Sequence, residues 1–295
     1  MTGPSSVTVT VPARLHFGFL DLNGGLGRRF GSIGLAISDL RTRIVVSPAA
    51  EVAVTGPEAE RARLYVERLR ELLVLRGGCR VRVDAAAPSH AGLGSGTQLA
   101  LAIAAGLRRL HGLPFDMRGD AIRLGRGGRS GIGIGLFDSG GVVVDGGGGD
   151  STDAAPIVSR MPFPEAWRIV LVLDPARIGV HGDDESAAFA RLPPFAAVDA
   201  AHICRVVLMQ ALPALAESDL QNFAAAINEV QRLLAGYFAP LQGGHAFSSP
   251  DVAATLDLLQ EQGALGRGQS SWGPTGFTFA RSAADAERLV QFARN

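Results

Sequence analysis

Gly92, Gly94 and Gly96 alternate with Leu93 and Ser95 in the segment APSHAGLGSGTQLALAIAAGL, and an apolar run with helical spacing follows at once. A helix start leaves backbone N–H groups without partners and carries about half a positive charge. Glycines leading into it let an anion approach with no side chain in the way. The spacing predicts an anion-binding loop, with the hydroxyls of Ser95 and Thr97 adding contacts. The bland alternative is a tight strand-to-helix turn with no ligand. A dinucleotide fingerprint does not fit, because the acid at the right distance, Asp116, stands in LPFDMRGD rather than at a strand end. A serine-hydrolase elbow does not fit either, since none of Ser95, Ser130 and Ser139 has glycine two places away on both sides.

Charge narrows the chemistry further. All 28 basic residues are arginine, which excludes a Schiff-base lysine, a pyridoxal-phosphate enzyme and a Walker-type phosphate lysine. Any bound phosphate must be held by arginine, backbone N–H groups or a metal. The formal net charge of zero removes the electrostatic case for nucleic-acid or membrane binding. The six histidines show no zinc spacing. Cys79 and Cys204 are far apart and are expected as buried, small apolar residues.

The elements that must position these residues are legible in outline. At 295 residues, with 47% apolar and 19% charged, the chain suits roughly two domains, which we place at 1–160 and 161–295 after the break GGGGDSTDAAP. We find no apolar stretch of the ~18–20 residues a membrane span needs and no signal peptide, and so expect a cytoplasmic protein. Alternation from Val7, then RTRIVVS, EVAVTG, RVRVDAA, VVVD, Arg168–Leu173 and GFTFAR, predicts strands. Helices are predicted over Glu58–Arg76, over Thr97–Leu110 with one buried face, from a Ser218/Gln221 capping box to Gly236, after Ser249-Pro250, and after Ser282. The order lacks a regular βαβ rhythm, so the class is α+β.

Taken together, VPARLHFGF, PSHAGLGSGTQLAL, GRSGIGIGLFDSGG and QSSWGPTGF resemble the GHMP kinase superfamily over most of the chain. The resemblance implies an N-terminal domain like the second domain of ribosomal protein S5 and a ferredoxin-like C-terminal domain, with the site between them. The sequence departs from the kinases at two positions. Gly96 replaces the loop's second serine, and the kinase segment Ser-Gly-Ile-Asp reads Ser130-Gly131-Ile132-Gly133, without its carboxylate. Within the superfamily, ARLHFGFLDLNG, SGIGIGLFDSGGVVVDGG and GQSSWGPTGF are most similar to the β-ribofuranosylaminobenzene 5′-phosphate synthases. That branch implies a magnesium-dependent, decarboxylating transfer of phosphoribosyl from its diphosphate to 4-aminobenzoate or 4-hydroxybenzoate, in tetrahydromethanopterin biosynthesis, and a homodimer. The electrofuge is CO2, so no strong base is needed, in keeping with Gly133. An ATP-dependent small-molecule kinase and a non-catalytic binding protein of the same fold are the competing readings.

On this resemblance the residues take roles as follows. Gly92, Gly94, Ser95, Gly96 and Thr97 cradle the diphosphate, and a Gly94→Val side chain would obstruct it without unfolding the chain. Arg14 and His16 share one side of a strand and meet phosphate or the benzoate carboxylate. Arg126 and Arg129, beside Ser130 and Gly131, take the 5-phosphate, while Arg28 and Arg29 close over an anion or are simply solvated. Asp21 and Asp138 are candidate magnesium ligands. His181 and Glu185 stand at a helix start as a proton donor or substrate contact. Gln269, Ser270, Ser271, Trp272 and Thr275 form a late loop in which Trp272 offers a platform for the aromatic ring.

Overall fold

A computed structural model describes residues 4–149, 154–180 and 182–294. β1 (Val7–Asp21) and β2 (Phe30–Ala49) run antiparallel along their whole length. RTRIVVS is therefore the second half of β2 and not a separate strand. Gly34 does not break it, because a Cβ there would lie 2.5 Å from Leu15 O: the glycine marks close backbone approach inside a sheet. β3 (Ala53–Thr55), β4 (Gly78–Ala85), β5 (Val142–Asp145) and β6 (Ile157–Met161) complete a six-stranded sheet ordered β3-β4-β2-β5-β6, with β1 paired to β2.

Helices α1 (Ala59–Leu72) and α2 (Ser95–Leu110) cover this sheet. Ala62, Val66, Leu69, Leu99, Ile103 and Leu107 pack there with Val11, Ile44, Val46, Val81 and Val83. α1 stops short of the expected Arg76, because Leu73 caps it and Val74 turns left-handed at φ 52°. α2 is buried on nearly all faces from Gln98 to Arg108, not on one stripe, since α1, α3 (Met117–Arg123) and α4 (Ile132–Ser139) enclose it against the strands.

A second sheet, β7 (Arg168–Val172), β9 (Gly276–Ala280) and β8 (Leu265–Gln269), is antiparallel in the order β7-β9-β8. Alternation decides what each face meets. Phe277 and Phe279 point to α8 (Leu220–Phe238), whereas Val170 and Ala280 meet α9 (Pro250–Glu261) and α10 (Ala283–Arg294). The α8 cap is not the expected box: Asp219 Oδ1 accepts from Asn222 N at 3.1 Å, and Ser218 sits outside the helix at φ 57°. Ser249 and Ser282 cap as expected, accepting from Val252 N and Asp285 N.

Between β7 and α8 the chain forms α5 (Gly182–Arg191), α6 (Ala197–Val206), a π-helical turn (Val207–Ala211) and α7 (Leu212–Ala216). Contrary to the sequence reading, the run Ala197–Ala216 is long and apolar enough to cross a membrane by length and composition. It packs on β1 and α8 through Ile203, Val206, Ala211 and Leu215, leaving Val198, Leu208 and Met209 exposed. One core spans both sheets, joining Leu15, Phe17 and Phe19 of β1 to Phe223, Ile227, Phe277 and Phe279. Cys79 is buried as expected, but Cys204 is exposed.

Candidate active site

Three loops meet at one end of this shared core. The glycine loop packs on the β8–β9 turn, where Ser270 Oγ donates to Gly92 O at 2.7 Å and accepts from His16 N at 3.0 Å. Gly179 N donates to His90 O at 2.8 Å and joins the segment before α5 to the same junction. A Cβ on Gly92 would lie 2.1 Å from Ser270 O, so that glycine serves the packing of loop on loop. The result is a cleft of about 580 Å³, within the usual range for a small-molecule site.

The floor of the cleft is the start of α2. Its N-cap is Gly94 at φ 70°, and no side chain caps it, so its first N–H groups remain available to an anion. Gly94 does not leave space for that anion: a Cβ there would lie 2.6 Å from Arg14 Cγ. The expected obstruction by Gly94→Val is thus corrected to a collision with Arg14. Gly96 is different, since a Cβ would stand in ordinary contact, 3.7 Å from its nearest neighbours. Ser95 and Thr97 line the cleft beside it.

Arg14 and His16 both border the cleft. Arg14 Nη1 donates to Gly92 O at 2.9 Å, and burial lowers its pKa to about 10 against the opposing charge of Glu185. His16 is 2% exposed, and both its ring nitrogens are buried without partners. Burial first, and then the charge on Arg14, hold its pKa well below the usual 6.5, so the imidazole is neutral. Its ring meets Phe19 edge-on at 4.6 Å.

The remaining sequence candidates divide sharply. Arg126, Arg129, Ser130, Glu185, Ser271 and Trp272 line the cleft. Arg129 is ion-paired with Glu185 and lies over the Phe189 ring at 5.9 Å, whereas Arg126 lies over Tyr65 and donates to its hydroxyl. Trp272 packs against Phe238 and Phe189, with centroids 4.6 and 5.2 Å away, and its Nε1 is buried without a partner. Gln269, Ser270 and Thr275 are interior supports of the turn: Gln269 accepts from Ser248 N at 2.6 Å and donates to Gln242 Oε1 at 2.9 Å. Gly131 N donates to Asp145 Oδ2 at 2.9 Å, and Ser130 shares a 2.6 Å hydrogen bond with Ser32.

Asp21 stands away from the cleft, where its Oδ1 accepts from Asn23 N at 2.7 Å and Gly24 N at 3.0 Å and holds a turn. Arg28 and Arg29 are not among the residues lining the cleft and donate to the carbonyls of Gly146, Gly147 and Leu22. Asp138 lies toward the end of α4, its side chain outside the described part, and His181 lies outside the described residues.

Sequence reasoning missed Arg61, Tyr65, His90 and Asp145. The first two needed the contact between α1 and α2, which no local pattern reports. Asp145 is a fully buried carboxylate whose burial raises its pKa, opposed by bonds from Ser32, Gly147, Gly131 and Ser130. It fixes the turn that carries Ser130. No group of three or more potential metal-ligating side chains occurs among the described residues. Of the described residues lining the cleft, Glu185 is the single carboxylate, and Arg129 holds it. The described lining residues do not by themselves supply the oxygen ligands that a divalent cation takes.

The model for GHMP kinases N terminal domain matches residues 59–141, and that for GHMP kinases C terminal matches 211–295. The mevalonate kinase of L. major, in complex with R-mevalonate, superposes with a TM-score of 0.74 at 15% identity, covering 100% of this chain and 94% of that one. Streptococcus pneumoniae phosphomevalonate kinase gives 0.71 at 10%, covering 98% and 96%. Beta-ribofuranosylphenol 5′-phosphate synthase of Archaeoglobus fulgidus is 34% identical over 75% of this chain and 74% of its own length. The protein of that name from Methanothermobacter thermautotrophicus is 30% identical over 90% and 86%. With the kinase fold and a helix start left uncapped at the cleft, but glycine in place of the kinase carboxylate, the chain belongs to the beta-ribofuranosylphenol 5′-phosphate synthase family of the GHMP kinase superfamily.

Proposed function

We infer that the protein is a decarboxylating glycosyltransferase that joins 5-phosphoribosyl 1-diphosphate to an aromatic acid in tetrahydromethanopterin biosynthesis. The relatives' names place a phenol in the product, which supports 4-hydroxybenzoate over 4-aminobenzoate as acceptor. One observation carries the reading: an uncapped helix start faces a cleft whose single lining carboxylate among the described residues is tied to Arg129. Such a site stabilises a departing anion and offers no ready base for activating a hydroxyl. Gly133 agrees, since a Cβ there would press on Thr97 Cγ2 at 3.1 Å, which leaves little room for a kinase aspartate.

In the proposed reaction the C1–O bond of the ribose breaks and its electron pair leaves with the diphosphate. The ring carbon bearing the carboxylate bonds to C1, and the bond to the carboxylate then breaks, returning its electrons to the ring as CO2 departs. The N–H groups of Ser95, Gly96 and Thr97 receive the leaving charge. His16, neutral and with both nitrogens uncommitted, hydrogen-bonds the acceptor, and Trp272 borders its ring. Magnesium enters as part of the donor, on its diphosphate, in keeping with the lack of a metal-ligating cluster among the described residues. A cytoplasmic homodimer belongs to the same proposal; exposed Val198, Leu208 and Met209 on one helical run support the dimer.

The test is incubation with phosphoribosyl diphosphate and carboxyl-labelled 4-hydroxybenzoate or 4-aminobenzoate. Labelled CO2 released without ATP is the expected result. ATP-dependent phosphorylation of a hydroxylated metabolite, with no labelled CO2, would overturn it.

A further inference from the structure

We infer that Arg61, Tyr65 and Arg126 form, over the bare backbone of Gly96, a receptor for the terminal phosphate of the donor's leaving diphosphate; this rests on the glycosyl-transfer reading above. A Cβ built on Gly96 would stand 3.7 Å from Arg61 Nη1, from Arg126 Nη1 and from Tyr65 Oη alike. Three donors from two separate segments thus converge on one point at the helix start. Arg61 and Tyr65 are one turn apart on α1, which places both on the face toward α2, and Arg126 follows α3.

Two further observations point to a ligand. The Nε atoms of Arg61 and Arg126 are both buried without a partner. Leaving a buried donor unsatisfied is costly, and a phosphate, with several acceptor oxygens, satisfies two guanidinium groups together. Charge tells the same story. Arg61 is balanced by Glu58 at 2.9 Å, whereas Arg126 contacts the Tyr65 ring and hydroxyl and has no acidic partner among the described residues. The cluster therefore keeps a net positive charge at the mouth of a helix dipole.

Gly96 itself separates a ligand site from a packing contact. Gly92 and Gly94 have positive φ and backbone or side-chain neighbours that a Cβ would strike. Gly96 has neither constraint, so the space over it is what lacks an explanation.

The order of contacts along the loop assigns the phosphate. Gly92 abuts Ser270 and Gly273, beside Trp272 and His16, while Gly96 abuts the arginines. Backside displacement at C1 puts acceptor and leaving group at opposite ends. With the aromatic acid near Trp272, the diphosphate extends toward Arg61 and Arg126. Arg126 thereby pairs with Arg61, and not with Arg129 around the 5-phosphate as the sequence suggested.

The experiment titrates the full-length protein with inorganic pyrophosphate in magnesium chloride, followed by calorimetry, without acceptor or sugar. Arg61→Gln, Arg126→Gln and Gly96→Ala are compared with Arg63→Gln, an exposed arginine on the same helix. Circular dichroism checks the fold of each. At least a tenfold loss of pyrophosphate affinity in the first three, with Arg63→Gln within twofold of wild type, is the expected result. Affinities within twofold of wild type in both Arg61→Gln and Arg126→Gln would overturn the subsite. Because no acceptor is present, the result stands apart from the labelled-CO2 assay. A tenfold loss without CO2 release would keep the subsite and reject the glycosyl transfer.

Discussion

His16 shows what a single side chain can report about the cleft. Its ring is buried beside Arg14, and both its nitrogens lack protein partners. The folded pKa lies below the unfolded value of 6.5, so the unfolded chain takes up a proton first as pH falls. Stability is therefore full above about pH 6.5 and declines below it, by up to about 1.4 kcal/mol per pH unit for one proton. Urea unfolding across that range should show the decline in wild type and a shallower one in His16→Gln; equal slopes would mean the ring is solvated. The glycines give a second residue-scale contrast. Gly94→Ala forces a side chain into φ 70° and onto Arg14, and should cost about 1–2 kcal/mol or more. Gly96→Ala should change stability by less than about 0.5 kcal/mol, in the manner of an unconstrained site. Comparable losses in the two variants would show that Gly96 is also a packing position.

α2 carries the uncapped N–H groups at the floor of the cleft, so whatever fixes its axis fixes the site. Near its far end Arg108 makes a bidentate pair with Asp120 of α3, Nε to Oδ2 at 2.5 Å and Nη2 to Oδ1 at 2.7 Å, with Asp120 fully buried. Asp120→Ala leaves the buried Arg108 with only the Pro114 carbonyl at 2.8 Å and the Asp116 carboxylate at 3.8 Å, and should destabilise the protein by about 3–5 kcal/mol in denaturant unfolding. A loss below about 1 kcal/mol would show that water reaches the pair. Elements of this kind also mark the limit of sequence reading. The glycine loop, the start of α2 and the caps at Ser249 and Ser282 are written in a few adjacent residues, and were legible. RTRIVVS reads as a strand of its own, yet it continues β2, because the upstream Gly34 allows close approach inside the sheet and does not interrupt it. Arg61 and Tyr65 look like ordinary polar and apolar positions of an amphipathic helix until α1 is laid against α2. Gln269, Ser270 and Thr275 were read as ligand contacts, but hydrogen-bonding residues in a tight turn serve loop packing equally well. Asp21 poses the same choice, since one carboxylate can cap a turn or face a metal, and only its surroundings decide.

Across the whole molecule, the site exists because two sheets share one core. Leu15, Phe17 and Phe19 leave β1 and pack on Phe223, Phe277 and Phe279 of the second half. The fragment 1–161 should expose that face, bind a hydrophobic dye and unfold without a cooperative transition; a sharp, dye-free transition would show an independent domain. Sharing the core also sets the electrostatics of the cleft. Arg14, Arg61, Arg126 and Arg129 line it, against Glu185 alone among the described carboxylates. A divalent cation approaching the cleft meets net positive charge and, among the described residues, no cluster of metal-ligating side chains, whereas magnesium on a diphosphate arrives already neutralised. Equilibrium dialysis should therefore find no magnesium retained by the protein alone at concentrations up to a millimolar, and close to one equivalent once inorganic pyrophosphate is added. Magnesium held tightly without pyrophosphate would require an acidic site that the arginine-lined cleft does not contain, and would return Asp138 to consideration as a ligand.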